Sequence, residues 1–223
     1  MEYNQEIIMF CERKLYPNQP EYMNCISALY ISGIGYYNLL KQNELSLSLE
    51  ILYWCITTNG LMSFIFHYNG WYLFKLLDEF TMIIPLWLGL SKIMYDFNYS
   101  TYYIGLLTNF NIFLLVFDIF PWFEPYFPLV FTTELLSIIP LYCQLCSLNK
   151  TNIILRKYRL DLNKGKLGII ICSLSGIIWF ITELNCNKYF IFGHPIWHIG
   201  MSTGMCYIIN YFNEQININK KEI

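Results

Sequence analysis

The chain has 223 residues, of which 56% are hydrophobic and 13% charged, about half the charged share of a soluble domain. Its 17 Phe, 19 Tyr and 6 Trp and mean hydropathy of +0.38 exceed what one compact core of this length hides from water, so a multispan membrane protein is expected. A net charge of -2, with no basic face able to neutralise a run of phosphates, excludes nucleic acid as a partner.

The residues up to Pro20 are polar and lack the apolar core of a cleavable signal peptide, so the first span is expected to direct insertion. A helix needs about 20 apolar residues to cross the hydrocarbon core. Windows of that kind run from Met23 to Leu40, Leu47 to Tyr68, Trp71 to Met94, Thr101 to Ile119, Tyr126 to Leu148, Leu167 to Cys186 and Phe190 to Tyr211. None shows the period-two alternation of a membrane barrel. The expected fold is all-α, a seven-transmembrane-helix bundle in one domain over residues 1–223, with no internal repeat. Ten of the 14 Lys and Arg fall on the side of the C-terminus, which puts residues 212–223 in the cytosol as a tail and residues 1–22 on the non-cytosolic side. The sequons at Asn98 and Asn149 then face the cytosol and stay unmodified. The basic loop from Ser147 to Lys166 reads as a solvated connector.

The three histidines, His67, His194 and His198, all map to the N-terminal-side mouths of the second and seventh spans. Ionisable groups in a membrane span are costly to bury and need a common cause when they cluster at one depth. A metal supplies one. His194 and His198 stand at i and i+4 on one helical face, the spacing by which a helix offers two nitrogens to one zinc ion. The short link Tyr68-Asn69-Gly70 makes the second and third spans antiparallel neighbours. Asp78 then lies about 12 Å down the third helix from Gly70, and Ser63 shares the face of His67 one turn earlier. Three imidazoles with a fourth position left for water are the open arrangement of catalytic zinc, and a carboxylate beside that water can act as base. Taken singly, Asp78 also fits an ion pair with Lys75, and Ser63 fits simple packing. Phe64, Trp87, Phe113, Phe117 and Trp179 are candidates for the apolar walls around a lipid.

The pattern Ser63-x3-His67, then Asp78-Glu79-x2-Met82, then His194-x2-Trp197-His198 resembles the alkaline ceramidases, intramembrane zinc amidases of the superfamily that also holds the adiponectin receptors. The resemblance runs from Cys11-Glu12 to the last histidine. It implies that His67, His194 and His198 hold zinc, that Asp78 orients and deprotonates the water, and that Ser63 helps stabilise the oxyanion of a ceramide amide. It also implies a calcium site in an acidic N-terminal segment, for which Glu12 and Glu21 are the candidate ligands here. Lys14 puts a positive charge where a neutral ligand is expected, which argues against calcium, a hard cation that takes six to eight oxygens. In the sixth span Thr182 stands where the family carries aspartate, with Glu183 as its neighbour.

Cys11 and Cys186 occupy positions of the family on the non-cytosolic side, and the resemblance implies a disulfide between them. The ending Lys220-Lys221-Glu222-Ile223 resembles the dilysine retrieval signal of endoplasmic-reticulum membrane proteins, which implies a coat-machinery partner and residence in the endoplasmic reticulum or Golgi. The expected function is zinc-dependent hydrolysis of ceramide to a sphingoid base and a fatty acid. The alternatives are a zinc hydrolase of another lipid, or a receptor-like lipid-binding protein with little turnover.

Overall fold

Apolar windows without water for their peptide groups have to satisfy those groups internally, and the chain does so as helices. The computed structural model describes residues 10–41, 47–96, 100–120, 127–136, 139, 140, 143 and 162–221. Among them are one short helix, α1 (Cys11–Leu15), and seven longer ones: α2 (Tyr22–Lys41), α3 (Leu47–Asn69), α4 (Tyr72–Asp96), α5 (Thr101–Asp118), α6 (Phe127–Leu136), α7 (Leu162–Leu184) and α8 (Gly193–Lys221). No strand occurs among the described residues. Three stretches, Leu49–Asn69, Thr101–Asp118 and Lys164–Leu184, are long and apolar enough to cross a membrane. Asn98, Asn149 and residues 147–161 lie outside the described residues, as do the side chains of Lys220 and Lys221. Of the window from Tyr126 to Leu148, only part is described.

The helix boundaries follow local chemistry more than hydropathy. Lys188 to Phe192 form turns, so α8 starts at Gly193 and not at Phe190. A Cβ at Gly193 would run into Thr182 on α7, and Pro195 falls in the first turn, where its missing N–H leaves no intrahelical bond unmade. At its other end α8 continues past Tyr211 to Lys221, because the polar residues there include no Gly or Pro to stop it.

Packing runs from neighbour to neighbour as α7, α8, α2, α3, α4 and α5, with α6 touching α4. Small residues let the most closely crossed pair meet. A Cβ on Gly168 would lie 2.7 Å from the Gly204 carbonyl oxygen, and one on Gly204 would lie 2.7 Å from that of Gly168, so α7 and α8 approach backbone to backbone. One apolar cluster joins Ile83, Leu86 and Leu90 of α4 with Phe131 of α6 and Trp197, Met201 and Ile208 of α8. A second joins Ile31, Leu52, Tyr53, Ile56 and Ile209 across α2, α3 and α8. Gly70, at φ +70°, makes the tight reversal between α3 and α4, a left-handed conformation that glycine adopts without Cβ strain. Both helices thus present their ends at the same mouth as the start of α8.

Candidate metal centre

His67 sits in the last turn of α3, and His194 and His198 occupy the first two turns of α8. All three are buried. One ligand atom from each lies within 4.8 Å of the other two, an arrangement that could hold a metal ion. The ring centroids are 5.0 Å apart for His67 and His194, 5.2 Å for His67 and His198, and 4.4 Å for His194 and His198.

Partners behind His67 and His198 fix which nitrogen of each faces the centre. Nδ1 of His67 is 2.7 Å from Glu21 Oε2, and a carboxylate accepts, so Nδ1 carries the proton and donates. Nε2 of His67 is buried with no hydrogen-bond partner, as is Nδ1 of His194. Ser27 Oγ donates to the Asn24 carbonyl at 3.0 Å, which leaves it to accept from His198 Nδ1 at 2.8 Å. Buried nitrogens left unbonded are costly, and neutral imidazoles with their second nitrogen tied to a carboxylate or hydroxyl are what a metal ligand set requires. Three imidazole nitrogens are a donor set that fits zinc, and two of the rings, His194 and His198, line the adjoining cavity.

That cavity is lined by Ser63, Asp78, His194 and His198 at one end, and by Leu86, Phe131, Trp197 and Met201 farther along. It reaches Lys92, about 21 Å beyond Asp78 along α4 at 1.5 Å per residue. Ser63 Oγ is buried and lies beside the Asp78 carboxylate. Asp78 is held by Asn59: Asn59 Nδ2 donates to Asp78 Oδ1 at 2.9 Å and to its carbonyl oxygen at 3.0 Å. Lys75 Nζ lies 2.7 Å from Glu79 Oε2 in a buried i, i+4 ion pair. The five aromatics expected as walls do not line this cavity. Phe64 stacks on Tyr68 and Phe113 on Phe117, Trp87 donates to Thr108, and Trp179 packs behind Trp197. Helices apolar on every side do not announce which aromatic faces inward.

The N-terminal segment closes the mouth. The Phe10 ring lies 4.0 Å from that of His194 and 5.3 Å from that of His67. Cys11 is disulfide-bonded to Cys186, with Cα atoms 5.3 Å apart, and its N–H donates to Glu183 Oε2 at 3.0 Å. Lys14 Nζ reaches the same Glu183 oxygen at 3.9 Å. Glu12 accepts from the N–H groups of Met23 at 2.9 Å and Asn24 at 3.1 Å, capping the start of α2. Burial pushes the Glu12 carboxyl above its ordinary value, and those two N–H donors hold it back. For Glu21 burial also pushes up, but the interaction with His67 and the Arg13 guanidinium outweigh it and hold the carboxyl below its ordinary value.

Glu12 and Glu21, the candidate calcium ligands, both already accept hydrogen bonds from the protein. Both Glu12 oxygens face N–H donors of α2. The Glu21 oxygens are taken by Arg13 Nε at 2.8 Å, by Asn24 Nδ2 at 2.6 Å and by His67 Nδ1. The Arg13 guanidinium supplies Glu21 with a positive charge of the protein's own. Asn59, Ser27, Phe10 and Arg13 were not singled out in the sequence. Only Asn59 carries a local signal, since Asn59, Ser63 and His67 stand at i, i+4 and i+8 on one face of an apolar helix.

Among the described residues the fold is all-helical, with three helices long and apolar enough to cross a membrane, and it carries a buried trio of imidazoles that could hold a metal ion beside a carboxylate and an apolar cavity. The family model described as Ceramidase matches residues 5–222, nearly the whole chain, and the chain belongs to the ceramidase family. Membership supports hydrolysis of ceramide in general. No curated protein matches the chain significantly.

Proposed function

We propose that the chain is a zinc-dependent amidase that hydrolyses ceramide within the membrane, releasing a sphingoid base and a free fatty acid. The observation that carries this reading is the meeting of His67, His194 and His198, with ligand atoms within 4.8 Å of one another, at the end of a cavity that Ser63 and Asp78 share. The reading places the site in a single seven-span domain, with the N-terminus in the lumen of the endoplasmic reticulum or Golgi and Lys220 and Lys221 available to retrieval coats in the cytosol.

Bound by the three histidines, zinc would act as a Lewis acid toward the amide carbonyl and acidify a water molecule. Asp78, held by Asn59, takes the proton of the attacking water and returns it to the departing amine nitrogen. Ser63, buried beside Asp78 at the end of the cavity, donates to the carbonyl oxygen as negative charge develops there. The apolar length of the cavity takes a hydrocarbon chain and excludes bulk water from the proton transfer.

Purified protein should contain one zinc and release sphingoid base from ceramide, and His198→Ala and Asp78→Asn should each abolish release. Turnover that survives Asp78→Asn, or zinc-free protein with full activity, would refute the mechanism. Bound zinc with no turnover of any ceramide would support the lipid-binding alternative.

A further inference from the structure

We propose that Arg13 is a resident cation of the metal centre, a positioning residue that fixes Glu21 and, through it, His67, in place of any second metal ion. The proposal rests on the reading of the three histidines as a zinc centre and adds a role for a residue that touches neither metal nor substrate.

Arg13 is the hub of two contacts on one ligand. Its Nε pairs with Glu21 Oε1 at 2.8 Å, and its Nη2 donates to the His67 carbonyl oxygen at 3.0 Å. Glu21 grips the same histidine at both ends: its N–H donates to the His67 carbonyl at 3.1 Å, and its Oε2 accepts from the ring Nδ1 at 2.7 Å. The ring and the main chain of His67 are therefore held by one Arg–Glu unit. Such a unit leaves the imidazole little freedom to tilt or to exchange tautomers.

Burial makes the cation necessary. The Glu21 side chain is 1% exposed and that of His67 0%. A carboxylate there without a compensating charge is expensive, and the planar guanidinium matches both acceptors at once, as a lysine ammonium cannot. The fold also reserves room for it. A Cβ at Gly70 would run into Arg13 Nη1, so the α3–α4 turn supplies a bare backbone surface against which the guanidinium lies. The Cys11–Cys186 bridge anchors the strand of contacts two residues before Arg13. The neighbouring cation, Lys14, points elsewhere, to Glu183.

The test is the rate at which zinc-loaded protein in lipid nanodiscs loses zinc to an excess of chromogenic chelator. Wild type is compared with Arg13→Gln, Arg13→Lys and Lys14→Ala. Arg13→Gln should release zinc roughly 10- to 100-fold faster, Arg13→Lys should fall between Gln and wild type, and Lys14→Ala should match wild type. Millimolar calcium should leave the wild-type rate unchanged. The proposal is overturned by an Arg13→Gln protein that holds zinc as wild type does, by Gln and Lys variants that are impaired alike, or by calcium that slows zinc loss from wild type. If the Gln variant does not fold, Arg13→Lys decides alone, with an intermediate rate supporting the clamp and a wild-type rate overturning it. Wild-type protein without zinc would remove the metal reading and this proposal together. Faster zinc loss from Arg13→Gln in a protein that hydrolyses no ceramide would leave the proposal standing while the amidase reading falls.

Discussion

Asn59 Nδ2 bridges Asp78, donating at 2.9 Å to its carboxylate and at 3.0 Å to its carbonyl oxygen, and at 3.0 Å to Thr81 Oγ1. One amide thus orients the proposed base against the turn of α4 that carries it. Asn59→Leu should lower kcat by about 10- to 100-fold, a part of what a well-placed proton-transfer group contributes, while zinc content stays at the wild-type level. Parallel activity and metal assays check this, and an unchanged kcat would assign Asn59 to packing.

The Cys11–Cys186 bridge joins residues 175 apart in sequence. Cys11→Ser should shift mobility on a non-reducing gel and lower the thermal midpoint, consistent with a cost of about 2–5 kcal/mol for loss of a native bridge. Cys186→Ser should match it, and the double variant should be no worse than either.

Glu21 supplies a pH signature. Its carboxyl is held below the ordinary value of 4.5, so in the folded state it stays ionised where the unfolded chain has begun to take up its proton. The stability it contributes is complete above the unfolded value and fades as pH falls through the lowered folded value. The difference in thermal midpoint between wild type and Glu21→Gln should be constant near neutrality and shrink in acid. A gap that widened in acid would contradict the sign.

Gly204 tests the helix crossing beneath the centre. A methyl group there would meet Cys172 Sγ and the Gly168 carbonyl oxygen, which belong to the α7 backbone and a buried side chain and have little room to move. Gly204→Ala should cost about 1–3 kcal/mol by overpacking, read as a lower thermal midpoint, whereas Gly105→Ala, with nothing within 4 Å of its added Cβ, should not.

Much of the centre was legible in the sequence because it is written in short spacings. His194 and His198 share a face at i and i+4, Ser63 and His67 do the same, and Gly70 folds α4 back so that Asp78 returns to their depth. What supports those residues is written nowhere locally. Ser27 meets His198 across 171 residues, and Glu21 meets His67 across 46, contacts that exist only once α2 has packed between α3 and α8. The same limit explains the aromatic walls: Phe113 is 49% exposed while Phe131 is 7%, yet both lie in stretches apolar on every side, where composition cannot tell the cavity from the outer surface. Glu12 was legible as an acidic residue of interest but not as the cap of α2, because its partners Met23 and Asn24 begin a different element.

Phe10 covers two of the three imidazoles and is tethered one residue later by the bridge to Cys186. With the tether closed, the Phe10 ring is held against His67 and His194. Under the proposed zinc reading, opening the tether should uncover the histidines, so a reductant should speed chelator-driven metal loss from wild type and leave the rate of Cys11→Ser unchanged.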